Sequence, residues 1–134
     1  MTLPLFVDGS TPLNAATLNQ LLALGEGNKV GAHLVYARLR YTGAAWEVHS
    51  TTDSAVLVTG HLSWSTNHLN VSLANFTVAM PPLVAPVFLA TGIYLPCVLG
   101  ASNTQAQIGW FDFAGTLVTT PDTRMDVNFW ALGV

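Results

Sequence analysis

The sequence predicts a mainly β protein: an antiparallel β-sandwich of jelly-roll type, preceded by a short N-terminal helix. Three observations predict it. From about residue 30 onward, apolar residues recur at every second position, the period of a half-buried strand. Turn-forming residues interrupt these runs at regular intervals, as they do in sandwiches. The stretches Val84–Ala90 and Ile93–Leu99 are almost wholly apolar and only strand-length, as expected of strands covered on both faces.

Residues 1–29 read as an N-terminal arm, and residues 30–134 as the sandwich domain. The arm starts irregularly and then forms a helix that Asn14 can cap. Leu18, Leu21 and Leu22 follow at helical spacing, with Ala15 one turn earlier. Gly25 stops the helix, with Gly27 close behind. At about ten residues such a helix is marginal alone, so it is expected to dock against the body or a neighbouring subunit.

In the domain, Ala37, Leu39 and Tyr41 alternate with Arg38 and Arg40, Thr42-Gly43 turns the chain, and Trp46 and Val48 alternate with Glu47 and His49. That pattern is a hairpin. A strand is expected over Ala55–Trp64, interrupted at Gly60. Leu69, Val71 and Leu73 alternate until the apolar positions switch parity at Phe76 and Val78, which calls for a bulge or corner between Ala74 and Asn75. Further strands are expected at Ala106–Trp110, Leu117–Thr119 and Met125–Phe129, making eight or nine in all.

Charge is scarce. Of 134 residues, 51% are apolar and only 8% charged, with a net charge of −3; soluble domains average about 25% charged. A chain with so little charge to wet its surface is expected to bury part of that surface against other chains. Lys29, Arg38, Arg40 and Arg124 are its only cations and they are scattered, which excludes phosphate neutralisation on nucleic acid. Met80–Leu99 carries four prolines and a glycine, so no membrane insertion is expected of it. MTLPLFVDGS shows no secretory signal pattern.

Chemistry finds little footing in these residues. His33, His49, His61 and His68 lack partners at metal-ligand spacing and read as polar-face or edge residues. Asp112, Asp122 and Asp126 are the late carboxylates, but a glycosidase needs a tuned pair. Asp112 precedes a turn, Asp122 follows Pro121 in a loop, and Asp126 is expected to face outward beside Arg124. Cys97 reads as a buried apolar thiol. No catalytic, cofactor or metal residue is assigned, no cofactor is implied, and an enzyme is not expected. Tryptophans offer stacking surface for sugars, with Trp46 and Trp130 the candidate glycan contacts because each lies near a strand end or terminus. Trp64 and Trp110 fit the apolar rows and are expected to be buried. Asn70-Val-Ser72 and Asn75-Phe-Thr77 match the glycosylation pattern, which carries no weight without a signal peptide.

The opening Phe6-Val-Asp8-Gly9-Ser-Thr-Pro-Leu13-Asn-Ala-Ala-Thr-Leu18-Asn19 resembles the start of tailed-bacteriophage virion proteins, including minor tail and fibre proteins. There an aromatic-x-Asp-Gly segment precedes Leu-x-Ala-x-x-Leu-Asn and a β-rich body. Phe113-Ala-Gly-Thr-Leu-Val and Asp126-Val-Asn-Phe-Trp-Ala are similar to the last strands of trimeric phage sandwich domains. The resemblance implies a virion location, a homotrimer, and attachment to other virion proteins of tail or capsid through an arm containing Phe6, Asp8, Gly9, Leu13, Leu18, Asn19, Leu21 and Leu22. No collagen-like or coiled-coil stalk is present, a departure from long tail fibres. A minor tail or fibre-like role leads; capsid decoration (cement), a head fibre and a host surface glycan-binding module are the alternatives.

Overall fold

The structure is a computed structural model that describes residues 32–134. Leu34–Val134 forms one compact unit. It contains eight strands: β1 (His33–Tyr41), β2 (Trp46–Thr51), β3 (Leu62–Ser65), β4 (His68–Ser72), β5 (Leu83–Pro86), β6 (Leu95–Ala101), β7 (Gln105–Phe111) and β8 (Val127–Gly133). A single 3-10 turn, Thr59–His61, is the only helical element among the described residues. The predicted N-terminal helix lies outside them.

Two four-stranded sheets result. Sheet I has the order β2-β1-β8-β5 and sheet II the order β3-β4-β7-β6. The alternating faces meet in one shared core. Val35, Ala37 and Leu39 of β1 and Val127, Phe129 and Ala131 of β8 come from sheet I; Leu69 and Val71 of β4 and Ala106, Ile108 and Trp110 of β7 come from sheet II. Each large side chain so enclosed contributes about 1.5–3 kcal/mol of burial free energy. The predicted sandwich is the architecture observed.

Three pairs are hairpins between consecutive strands, β1–β2, β3–β4 and β6–β7. Local turn chemistry accounts for the hairpins. Gly43 takes φ +96° in the first, where Thr42 N–H donates to the Ala45 carbonyl at 2.9 Å. Thr66 takes φ +46° in the two-residue β3–β4 turn.

The parity switch after Leu73 is a corner. Asn75 adopts φ +50°, a conformation asparagine tolerates better than most residues. Beyond it the chain leaves sheet II for sheet I: Thr77 N–H donates to the Val134 carbonyl at 2.7 Å, and Val78 bridges Gly133.

Several expected strands are shorter. Ala55–Trp64 is strand only from Leu62, because Val56 and Leu57 drop into the core from a turn in which both their N–H groups donate to the Asp53 carbonyl. Val84–Ala90 stops at Pro86, and Leu117 makes only an isolated bridge to Phe111. β5 and β6 are edge strands, not doubly covered ones. Their apolar runs therefore reach the surface: Leu83, Leu95 and Leu99 are exposed.

Candidate interaction face

The outward side chains of sheet I sort into two halves. On β1, Leu34, Tyr36, Arg38 and Arg40 point away from the core; on β8, Asn128, Trp130 and Leu132 do. The β5 register sets Leu83 opposite Trp130 and Ala85 opposite Asn128.

One half is polar and internally satisfied. Arg38 grips Asp126 with two hydrogen bonds, Nε to Oδ1 at 2.9 Å and Nη2 to Oδ2 at 2.5 Å. This corrects the expectation for Asp126, which is buried rather than outward beside Arg124. The hydrogen bond to Asp126 also pushes the Arg38 pKa above its ordinary value, against a smaller opposing effect of burial. Arg40 pairs with Glu47, and Tyr36 donates its hydroxyl hydrogen to Asn128 at 2.8 Å. A shallow cleft of about 300 Å³ beside Arg38, Arg40 and Tyr41 is thus lined by guanidiniums that already hold carboxylates.

The other half is apolar. A groove of about 160 Å³ is lined by Leu34, Met80, Pro81, Leu83, Trp130 and Leu132. Leu83 is 62% exposed, Leu34 56%, Met80 49% and Leu132 37%. Tyr36 marks the border, its ring 5.5 Å from that of Trp130 and tilted by 43°.

Sheet II presents a different outer surface. Ser63, Asn70 and Gln107 lie side by side across three strands, and Ser72 lies beside Gln105. A shallow cleft of about 310 Å³ there is bounded by Gly100, Ala101, Ser102, Gln105 and Gln107. Its side chains are neutral and hydrogen-bonding, as suits a solvated face.

The candidate glycan contacts separate. Trp46 is only 9% exposed and packs in the core against Trp64 and Trp110, so it is enclosed and not open to a ligand. Its place at a strand start suggested exposure, but the hairpin register sets it opposite Tyr41 with its side chain turned inward. Trp110 is buried as expected, and Trp64 packs partly buried against the core. Trp130 does reach the surface, where it lines a groove whose other described side chains, Leu34, Met80, Pro81, Leu83 and Leu132, are apolar. Phe6, Asp8, Gly9, Leu13, Leu18, Asn19, Leu21 and Leu22 lie outside the described residues.

Among the described residues no group of three or more His, Cys, Asp or Glu could hold a metal ion. His61 turns Nδ1 to the Val56 carbonyl, and His68 to Asn67. Asp112 accepts from the N–H groups of Ala114 and Thr116 at 2.9 and 2.8 Å, the turn role its sequence context suggests. Asp122 accepts from Arg124, which holds its carboxyl below the usual carboxylate range. Cys97 is half-buried on β6, and burial raises its thiol pKa.

Sequence reasoning missed Leu34, Met80, Leu83 and Leu132. The signal was present in the runs Leu34-Val35-Tyr36 and Phe129-Trp130-Ala131-Leu132, which break alternation and make both faces of their strands apolar. Comparison with protein-family models, with curated proteins and with solved structures finds no match.

Proposed function

We propose that this chain is a non-enzymatic structural protein of a tailed-bacteriophage virion, a minor tail or fibre-like component. In this reading it associates with itself as a homotrimer through its sandwich and joins other virion proteins through its N-terminal arm. The observation that carries the reading is the apolar half of sheet I's outer face, on a chain only 8% charged. Contiguous exposed apolar surface on a sparsely charged protein marks a site that another protein covers. The resemblance of residues 6–19 to phage virion proteins supplies the setting, and its arm supplies the means of attachment. Capsid decoration and a head fibre use the same physical parts and differ only in the neighbour. The glycan-binding reading loses one of its two candidate contacts, because Trp46 is enclosed in the core. Electron microscopy of particles assembled with and without the gene tests the proposal. A density lost from tail or head supports it, and identical particles count against it.

A further inference from the structure

We propose that Arg124 is a latch that closes the β5–β6 connection onto the β7–β8 connection, so that residues 88–93 open as a unit when it lets go. The proposal is independent of the virion reading and concerns the described residues alone.

The topology brings the two connections together. β5 ends at Pro86 opposite Val127, the first residue of β8. β6 begins at Leu95 opposite Phe111, the last residue of β7. Residues 87–94 therefore pass from sheet I to sheet II at the same end of the domain where residues 112–126 pass back. At the base of this crossing, the Val87 N–H donates to the Asp126 carbonyl at 3.0 Å.

Beyond that base, Arg124 joins the two. Its guanidinium carbon lies 4.3 Å from the centre of the Tyr94 ring, and Nη2 donates to the Tyr94 hydroxyl. A cation over an aromatic face is attracted by the ring's quadrupole. Asp122, on the same connection as Arg124, fixes the guanidinium by accepting from Nε and Nη2 at 2.9 Å each. Tyr94 packs against the core, and Arg124 holds it there.

The segment so closed has little else to hold it. Among the described residues, 88–93 makes one backbone hydrogen bond, from the Gly92 N–H to the Leu89 carbonyl at 3.1 Å. Phe88 is 81% exposed, and Ala90, Thr91 and Gly92 are exposed too. Segments with few buried contacts and few hydrogen bonds open first. The stem of Arg124 also runs beside this segment, since a Cβ on Gly92 would lie 3.8 Å from Arg124 Cδ.

Chymotrypsin digestion of the native full chain tests the proposal, with mass spectrometry reading the cleavage rate after Phe88. Cleavage after Phe113, in the turn that Asp112 holds, is the reference. Where opening is fast relative to cleavage, the rate tracks the population of the open form. Arg124→Met is expected to raise the rate at Phe88 about fivefold, as loss of an exposed cation–π contact does, and to leave Phe113 unchanged. Tyr94→Phe, which keeps the ring and loses the hydroxyl, should raise it less. Arg40→Met, which removes an arginine paired with Glu47 instead, should match the wild type at both bonds. If Arg124→Met fails to fold, Arg124→Gln makes the same comparison. An unchanged rate at Phe88 without Arg124 overturns the latch. An equal rise at Phe88 and Phe113 marks a general loosening and overturns it as well.

Discussion

The indole rings of Trp46 and Trp110 stack across the sandwich, one on β2 of sheet I and one on β7 of sheet II, with centroids 5.2 Å apart and planes 28° from parallel. Trp64 completes the cluster, its ring 5.7 Å from Trp46 and 6.3 Å from Trp110. This cluster joins the two sheets at one end of the core. Trp46→Ala is therefore expected to cost about 3–5 kcal/mol of stability, as large aromatic truncations do in cores. Urea denaturation measures the loss. The near-ultraviolet circular dichroism of the stacked indoles should weaken with it. An unchanged unfolding midpoint would return Trp46 to the surface.

Arg38 and Asp126 form the most enclosed ion pair among the described residues, with side-chain exposures of 29% and 4%. Removing one partner should cost more than removing both, because Arg38→Met strands a buried carboxylate. Arg38→Met alone is expected to lose about 2–3 kcal/mol, somewhat below the range for fully buried pairs since Arg38 is partly solvated. The double variant Arg38→Met/Asp126→Leu should recover part of it. A double-mutant cycle reads the coupling directly, and additive losses would mean the two groups act independently.

The Asp122–Arg124 pair fixes one pH dependence. The carboxyl of Asp122 lies below its ordinary range because Arg124 hydrogen-bonds it. Its contribution is thus complete above the unfolded pKa of about 3.9 and is lost as pH falls through the lower folded value. Stability measured by thermal melting between pH 5 and pH 2 should fall, and Asp122→Asn should flatten that slope slightly. The effect is small because the pair is partly exposed.

Gly133 packs where no side chain fits. A Cβ there would collide with the Thr77 carbonyl and the Phe76 ring, at the point where the corner segment rejoins sheet I. Gly133→Ala is expected to destabilise by about 1–3 kcal/mol, the range for overpacking, and chemical denaturation checks it. A neutral substitution would show that the corner can shift.

Much of the sandwich was legible because its signals are local. Alternation placed β1, β4, β7 and the start of β8, which runs on to Gly133, and Thr42-Gly43 placed the first of the three hairpins. The parity switch at Ala74–Asn75 marked a bulge or corner, and the corner stands there with Asn75 at φ +50°. Strand order was not legible, since it depends on which distant edges meet. For that reason β5 and β6 read as covered strands and proved to be edges. Asp126 read as outward because its partner Arg38 stands 88 residues away. The apolar face was half legible: Trp130 was singled out, but for sugars, because its neighbours Leu34 and Leu83 come from other strands.

The proposed virion role is tested most directly by quantitative mass spectrometry of purified particles released from a host that carries the gene. The account predicts the chain in washed particles, at a copy number in multiples of three. Its absence from particles, with the protein found only in the lysate of infected cells, would contradict the account.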